Sequence, residues 1–306
     1  MDISIVINQV LMLFFPMAVG FAIAKLKVVN EHFPKNLSAF IFNVTLPCTI
    51  VSALQVTFDR DTLIKSGVLV LVSAVIMVAL WASGILTTKL MRIKGPMKNA
   101  VIYAMMFSNF SFMGYPIAHA FMGETGLLYA AMFSLPMFVF VQSWGVALTD
   151  DEGDDHKFKL YYVLNAPLVA SLIGLVFFFT GWRLPSAIDG TVRSLGATTT
   201  SLAMVLAGII ISAKPLGKAF SNAKIYVVAL LRLVVLPLIV FYVMTALKIN
   251  IDICRLSAII TMMPVATNVI ITSEAYGKDS TEPTRMVFLT NILSIITIPF
   301  MGLLLF

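Results

Sequence analysis

The chain has 306 residues, of which 59% are hydrophobic and 12% charged, with a formal net charge of +6 and a mean hydropathy of +0.97. Soluble domains carry about 25% charged residues, so this composition leaves no room for a separate soluble domain. The positive balance carries no nucleic-acid signal, because the basic residues scatter through short loops instead of forming a patch.

Apolar runs long enough to span a bilayer recur along the whole chain. In order they predict ten spans at roughly 5–25, 36–56, 65–88, 98–120, 126–148, 160–181, 191–213, 223–247, 254–276 and 284–305. The start, Met1-Asp2, has no basic n-region, so the first run reads as a retained span. Short polar stretches separate the spans, including an acidic run from Asp150 to His156. Fourteen of the 21 Lys and Arg residues fall in the loops after spans 1, 3, 5, 7 and 9, and six in the others. That bias predicts cytoplasmic odd loops and both termini outside, in a plasma membrane. The remaining basic residue, Arg232, lies inside span 8. An intramembrane charge is expensive and points to function, here a possible electrostatic role towards an anion beside a structural or gating one. Cys48 and Cys254 show no metal or redox spacing and read as packing residues. His32, His119 and His156 are too scattered to form a ligand cluster.

Two spans are interrupted. Ser108-Asn109-Phe110-Ser111-Phe112-Met113-Gly114-Tyr115-Pro116 and Met262-Met263-Pro264-Val265-Ala266-Thr267-Asn268 place prolines, amides and hydroxyls where an unbroken helix is expected. Proline lacks a backbone donor and clashes with the preceding turn, so the helix opens nearby. At membrane depth an open ladder survives only where protein or a watery cavity satisfies it. Pro116 and Pro264 are 148 residues apart, close to half the chain. Pro16 and Pro167 echo that offset, at 151 residues. A proline beside Asn or Ser also occurs in ordinary kinked helices; the shared offset is what points to a transporter with broken helices in two repeats. Five spans per half force the second half to enter from the opposite side. The predicted fold is therefore an all-α polytopic membrane protein with inverted five-helix repeats over residues 1–148 and 160–306, joined by an acidic cytoplasmic loop at 149–159.

These residues carry a resemblance. Asn109, Ser111 and Met113-Gly114-Tyr115-Pro116, followed by Phe121, Gly123 and Gly126, resemble the fourth-helix crossover of the auxin efflux carrier family. Met263-Pro264 with Glu274-Ala275-Tyr276-Gly277 is similar to its ninth helix, and Asn43-Val44-Thr45-Leu46-Pro47 to its second. Plant members, the PIN proteins, export indole-3-acetate, and bacterial members are described as permeases for malate, malonate or similar acids. This chain lacks the long cytoplasmic loop of many PIN proteins. The resemblance implies the fold shared with bile-acid symporters and sodium/proton antiporters. There, helices 1, 2, 6 and 7 form a scaffold and helices 3–5 and 8–10 a transport domain, moving in an elevator-type alternating access. Homodimerisation through the scaffold is likewise implied.

Physics supplies a reason why such breaks suit an anion. Each exposes the N-terminus of a half-helix, with unpaired N–H groups and partial positive charge. The predicted substrate is an organic acid anion held by Asn109, Ser111, Tyr115, Thr267 and Asn268, with Asn43 and Thr199 as further candidates. Asn109 is the strongest carry-over from the family motif. Pro116 and Pro264 shape the breaks, and Gly114 allows close approach. Tyr115 and Phe112 could contact an aromatic substrate, although packing is the ordinary role of such side chains, and hydroxyls such as Thr198 to Ser201 commonly bond their own helix. No Asp or Glu lies mid-span, and no nucleophile–base pair, metal set, cofactor motif or phosphate loop is visible, so an enzyme is not expected. A sodium-coupled symporter of bile-acid-like anions is the alternative, and an anion channel a more distant one.

Overall fold

The computed structural model describes residues 3–55, 60–141, 165–212, 223–267, 269–270 and 280–306. Among them are ten helices: α1 (Ile3–Lys25), α2 (Phe33–Leu54), α3 (Arg60–Leu90), α4 (Pro96–Met106), α5 (Phe110–Phe140), α6 (Ala166–Thr180), α7 (Ser186–Ser212), α8 (Ala223–Ala246), α9 (Ile251–Thr261) and α10 (Thr281–Leu305). Six of these, α2, α3, α5, α7, α8 and α10, are each long and apolar enough to cross a membrane. Large apolar side chains such as Leu71, Val75, Phe179 and Ile296 face outward, as a lipid solvent requires. The acidic loop 149–159 and Asn268 lie outside the described residues.

Prolines set the local geometry of three helices. Wide π turns occupy Ile41–Thr45 in α2, Phe110–Gly114 in α5 and Leu231–Val235 in α8. Each ends two residues before a proline: Pro47, Pro116 and Pro237. The ring clashes with the carbonyl four residues back and offers it no donor. The preceding turn widens instead, so Leu46 N–H reaches the Ile41 carbonyl and Leu236 N–H the Leu231 carbonyl, five residues back.

The break that the sequence predicts between spans 4 and 5 falls at a sharp kink inside Phe110–Phe140, where two helical arms meet and Tyr115 of the first touches Ser134 of the second. Gly123 absorbs it at φ 63°, ψ −150°, a conformation that residues with a Cβ rarely adopt. One glycine thus does the work of a loop.

Packing falls into two groups. Helices α1, α2, α6 and α7 pack together through the pairs α1–α7, α2–α6 and α2–α7. Helices α3, α4, α5, α8, α9 and α10 join through α3–α4, α3–α5, α8–α9, α8–α10, α5–α9 and α4–α10. The first group is glued by small residues, which permit close backbone approach in lipid. A Cβ on Gly20 would overlap the Val205 carbonyl, and one on Gly208 the Met17 carbonyl, so α1 and α7 touch backbone to backbone. Gly174 of α6 faces α2, where a Cβ would come within 2.5 Å of Leu54 Cδ1. Thr49 joins α2 to α7: its hydroxyl donates to the Gly196 carbonyl and lies 2.9 Å from the hydroxyl of Thr199, 150 residues along.

Candidate functional site

The two interrupted stretches meet. After α4 ends at Met106, the chain is extended through Phe107 and Ser108; after α9 ends at Thr261 it is extended near Pro264 and Val265. Ser108 and Val265 pair as an antiparallel bridge. Asn109 N–H donates to the Pro264 carbonyl at 2.8 Å, and Ala266 N–H to the Phe107 carbonyl at 3.2 Å. Each break thereby satisfies backbone groups that the other frees, which removes the chief cost of irregular chain at membrane depth. Helix α10 buttresses the pair. Thr290 donates its hydroxyl to the Met286 carbonyl and accepts the Val265 N–H at 3.1 Å.

Asn109 is the pivot of this arrangement. Its carbonyl accepts from both Met113 and Gly114 N–H, each at 3.1 Å, and so starts α5. The N–H groups of Phe110, Ser111 and Phe112 precede any intrahelical acceptor and give this end positive potential. The Asn109 backbone N–H and carbonyl are both engaged, while its side chain, only 3% exposed, leaves Nδ2 without a hydrogen-bond partner among the described residues. A buried, unpaired amide donor held by a rigid backbone is costly in a merely structural role. The adjacent Ser108 hydroxyl and the Thr261 hydroxyl at the end of α9 are likewise buried and unpaired.

Other predicted residues are placed as follows. Ser111 is buried in the first turn of α5, and Thr267 is buried where helix resumes, its carbonyl accepting from Ile270 N–H. Gly114 faces α9: a Cβ there would come within 2.9 Å of Ile260 Cδ1. Pro116 follows the wide turn that opens α5, and Pro264 contributes its carbonyl to Asn109. The Tyr115 hydroxyl reaches across the Gly123 kink between the two arms of α5, 2.6 Å from the Ser134 hydroxyl nineteen residues on. Thr199 is occupied by Thr49 between α2 and α7. Asn43 is exposed on α2 and donates Nδ2 to the Ala39 carbonyl of its own helix. The side chains of these last three bond Ser134, Thr49 and Ala39, not Asn109 or Pro264.

Arg232 is buried in the wide turn of α8, and its Nη1 donates to the Met105 carbonyl at 2.9 Å. It therefore sits at the end of α4 that leads into the first break. Ser108 and Thr290 escaped the sequence-level site; Ser108 abuts Asn109 in the motif, whereas Thr290 is one hydroxyl in an apolar run. No group of three or more His, Cys, Asp or Glu among the described residues is placed to hold a metal ion.

The profile of a family described as membrane transport protein matches residues 5–159 and 155–302. The chain belongs to this family. It is the auxin efflux carrier group that the motifs resemble. The membrane transport protein described here is also 26% identical over 290 residues to an uncharacterised transporter of Methanothermobacter thermautotrophicus, covering 92% of each chain. A second uncharacterised transporter, from Methanocaldococcus jannaschii, is 22% identical over 304 residues, covering 96% of this chain and 97% of its own.

Proposed function

We propose that this membrane transport protein is a secondary carrier of organic acid anions, binding the carboxylate at the paired breaks. The observation that carries the reading is the Asn109 side chain. Among the described residues its buried Nδ2 has no partner, and it lies next in the chain to the first N–H groups of α5, which precede any intrahelical acceptor. Amide donors and a helix N-terminus together favour a carboxylate over a cation or a neutral solute. Among the described residues no Asp or Glu is buried to compete for those donors. Ser111, Thr267 and Asn268 complete the proposed site, with Tyr115, Asn43 and Thr199 as outlying candidates.

An inverted pair of five-helix repeats is supported by contacts that recur half a chain apart. The α1–α7 contact at Gly20 has its counterpart in the α2–α6 contact at Gly174, and Thr49–Thr199 joins equivalent positions. The pairs α3–α4 and α8–α9 correspond in the same way, as do α5–α9 and α4–α10. On this reading α1, α2, α6 and α7 form a scaffold, and the other helices carry the breaks across the bilayer in an elevator movement. The protein would sit in the plasma membrane with both termini outside and pair as a homodimer through the scaffold.

A thermal-shift screen of purified protein against malate, malonate, succinate, lactate and indole-3-acetate, with and without sodium, tests the reading. A ligand that binds only the folded state adds about 2.7 kcal/mol at a hundredfold excess over its Kd. The expected result is a carboxylate-specific rise that Asn109→Ala removes. A rise that requires sodium favours the symporter reading. Binding of neutral solutes in place of acids contradicts both.

A further inference from the structure

Arg232 is, among the described residues, the one charged side chain that is wholly buried. The wide turn ahead of Pro237 carries it, in a helix that packs against both α9 and α10. Among the described residues a single bond, from Nη1 to the Met105 carbonyl, occupies the guanidinium. Met105 lies in the last turn of α4, where carbonyls lack intrahelical partners and negative potential gathers. Nε and Nη2 have no partner among the described residues. Those two nitrogens lie on one edge of the planar group, and that edge matches the two oxygens of a carboxylate in parallel bonds.

A helix-end cap needs one donor and one positive charge, which Lys supplies as well as Arg. Capping accounts for Nη1 and leaves the other edge as two buried, unsatisfied donors on an unneutralised ion. Such groups are strongly unfavourable in a membrane interior and mark substrate paths. Met105 stands four residues before Asn109, so the guanidinium is anchored to the same helix end that delivers the break.

We propose that the Nε–Nη2 edge of Arg232 is a carboxylate-binding fork of this carrier, with the Met105 bond holding the guanidinium plane in place. The inference rests on the anion-carrier reading and adds to it the group that neutralises the substrate's charge. Arg232 then sets the preference for an acid over its amide: the amide brings no charge and cannot accept two parallel bonds. A Lys at this position keeps the charge and the cap but loses the fork.

The test is calorimetric binding of malonate and lactate, and of malonamide and lactamide, to full-length protein in detergent, for wild type, R232K and R232Q. Circular dichroism melts check that each variant is folded. The wild type is expected to bind the acids and not the amides. R232K is expected to lose at least tenfold in affinity for the acids, and R232Q to lose the acid-over-amide preference as well. R232K binding within twofold of wild type overturns the fork and leaves Arg232 as a cap, with the carrier reading intact. A wild type that binds neither acid overturns both. Should the variants unfold, magnetic dipolar recoupling between 13C-carboxylate malonate and 15N-arginine wild-type protein decides the matter. Close 13C–15N contact is expected, and its absence in the bound state overturns the proposal.

Discussion

Asn109 and Pro264 are joined by a 2.8 Å bond from the N–H of the first to the carbonyl of the second, so each interrupted helix is completed by the other. The removal of one supporting group should therefore disturb both breaks. Thr290 is the accessible lever, since its hydroxyl accepts the Val265 N–H. Thr290→Val keeps the shape and leaves that buried N–H unpaired, at a cost of about 1–3 kcal/mol. Thermal unfolding in detergent should show a clear fall; an unchanged midpoint would mean that the bridge does not depend on α10.

Glycine contacts between α1 and α7 give a second prediction. Gly20→Ala and Gly208→Ala each force a methyl into a backbone carbonyl of the other helix, whereas Gly67 has nothing within 4 Å of its would-be Cβ. Overpacking of this kind costs about 1–3 kcal/mol, so both variants should unfold earlier and yield less folded protein. Gly67→Ala is the control and should stay close to wild type. Equal behaviour of all three would contradict the backbone contact.

Gly123 makes a third. With φ at 63° and ψ at −150°, an alanine there carries about 1–3 kcal/mol of strain. Gly123→Ala should lower the thermal midpoint although no neighbour lies within 4 Å. Stability equal to wild type would show that the α5 kink relaxes without a special conformation.

The distribution of Lys and Arg predicts sidedness. In a background with Cys48→Ala and Cys254→Ala, Lys94→Cys should react with an impermeant maleimide only after permeabilisation. Trp182→Cys, in a loop that the same bias predicts to lie outside, should react in intact cells. The reverse pattern would invert the topology.

Much of the architecture was legible in the sequence, for reasons visible at particular residues. Pro116 and Pro264 stand out because proline and amides are unwelcome in an apolar run, and both fall where the helices open. What sequence cannot give is partners at long range. The Met105 carbonyl is 127 residues from Arg232, and nothing local announces that the guanidinium ends on α4. Thr199 reads as a site hydroxyl in a polar run, but its partner Thr49 lies on the helix facing it. The wide turns were hidden for another reason: proline signals a disturbance, and only the packed structure shows that it is spread over the preceding turn.

The most direct test of the account is uptake of labelled malonate or lactate into proteoliposomes bearing wild-type protein or Asn109→Ala. Removing a buried donor to an ionised ligand costs about 1.5–3 kcal/mol, which is roughly ten- to more than a hundredfold in affinity. The account predicts saturable uptake by wild type and at least a tenfold weaker half-saturation in a variant whose melting curve is unchanged. Wild-type uptake kinetics in Asn109→Ala, or flux that rises without saturation, would contradict it.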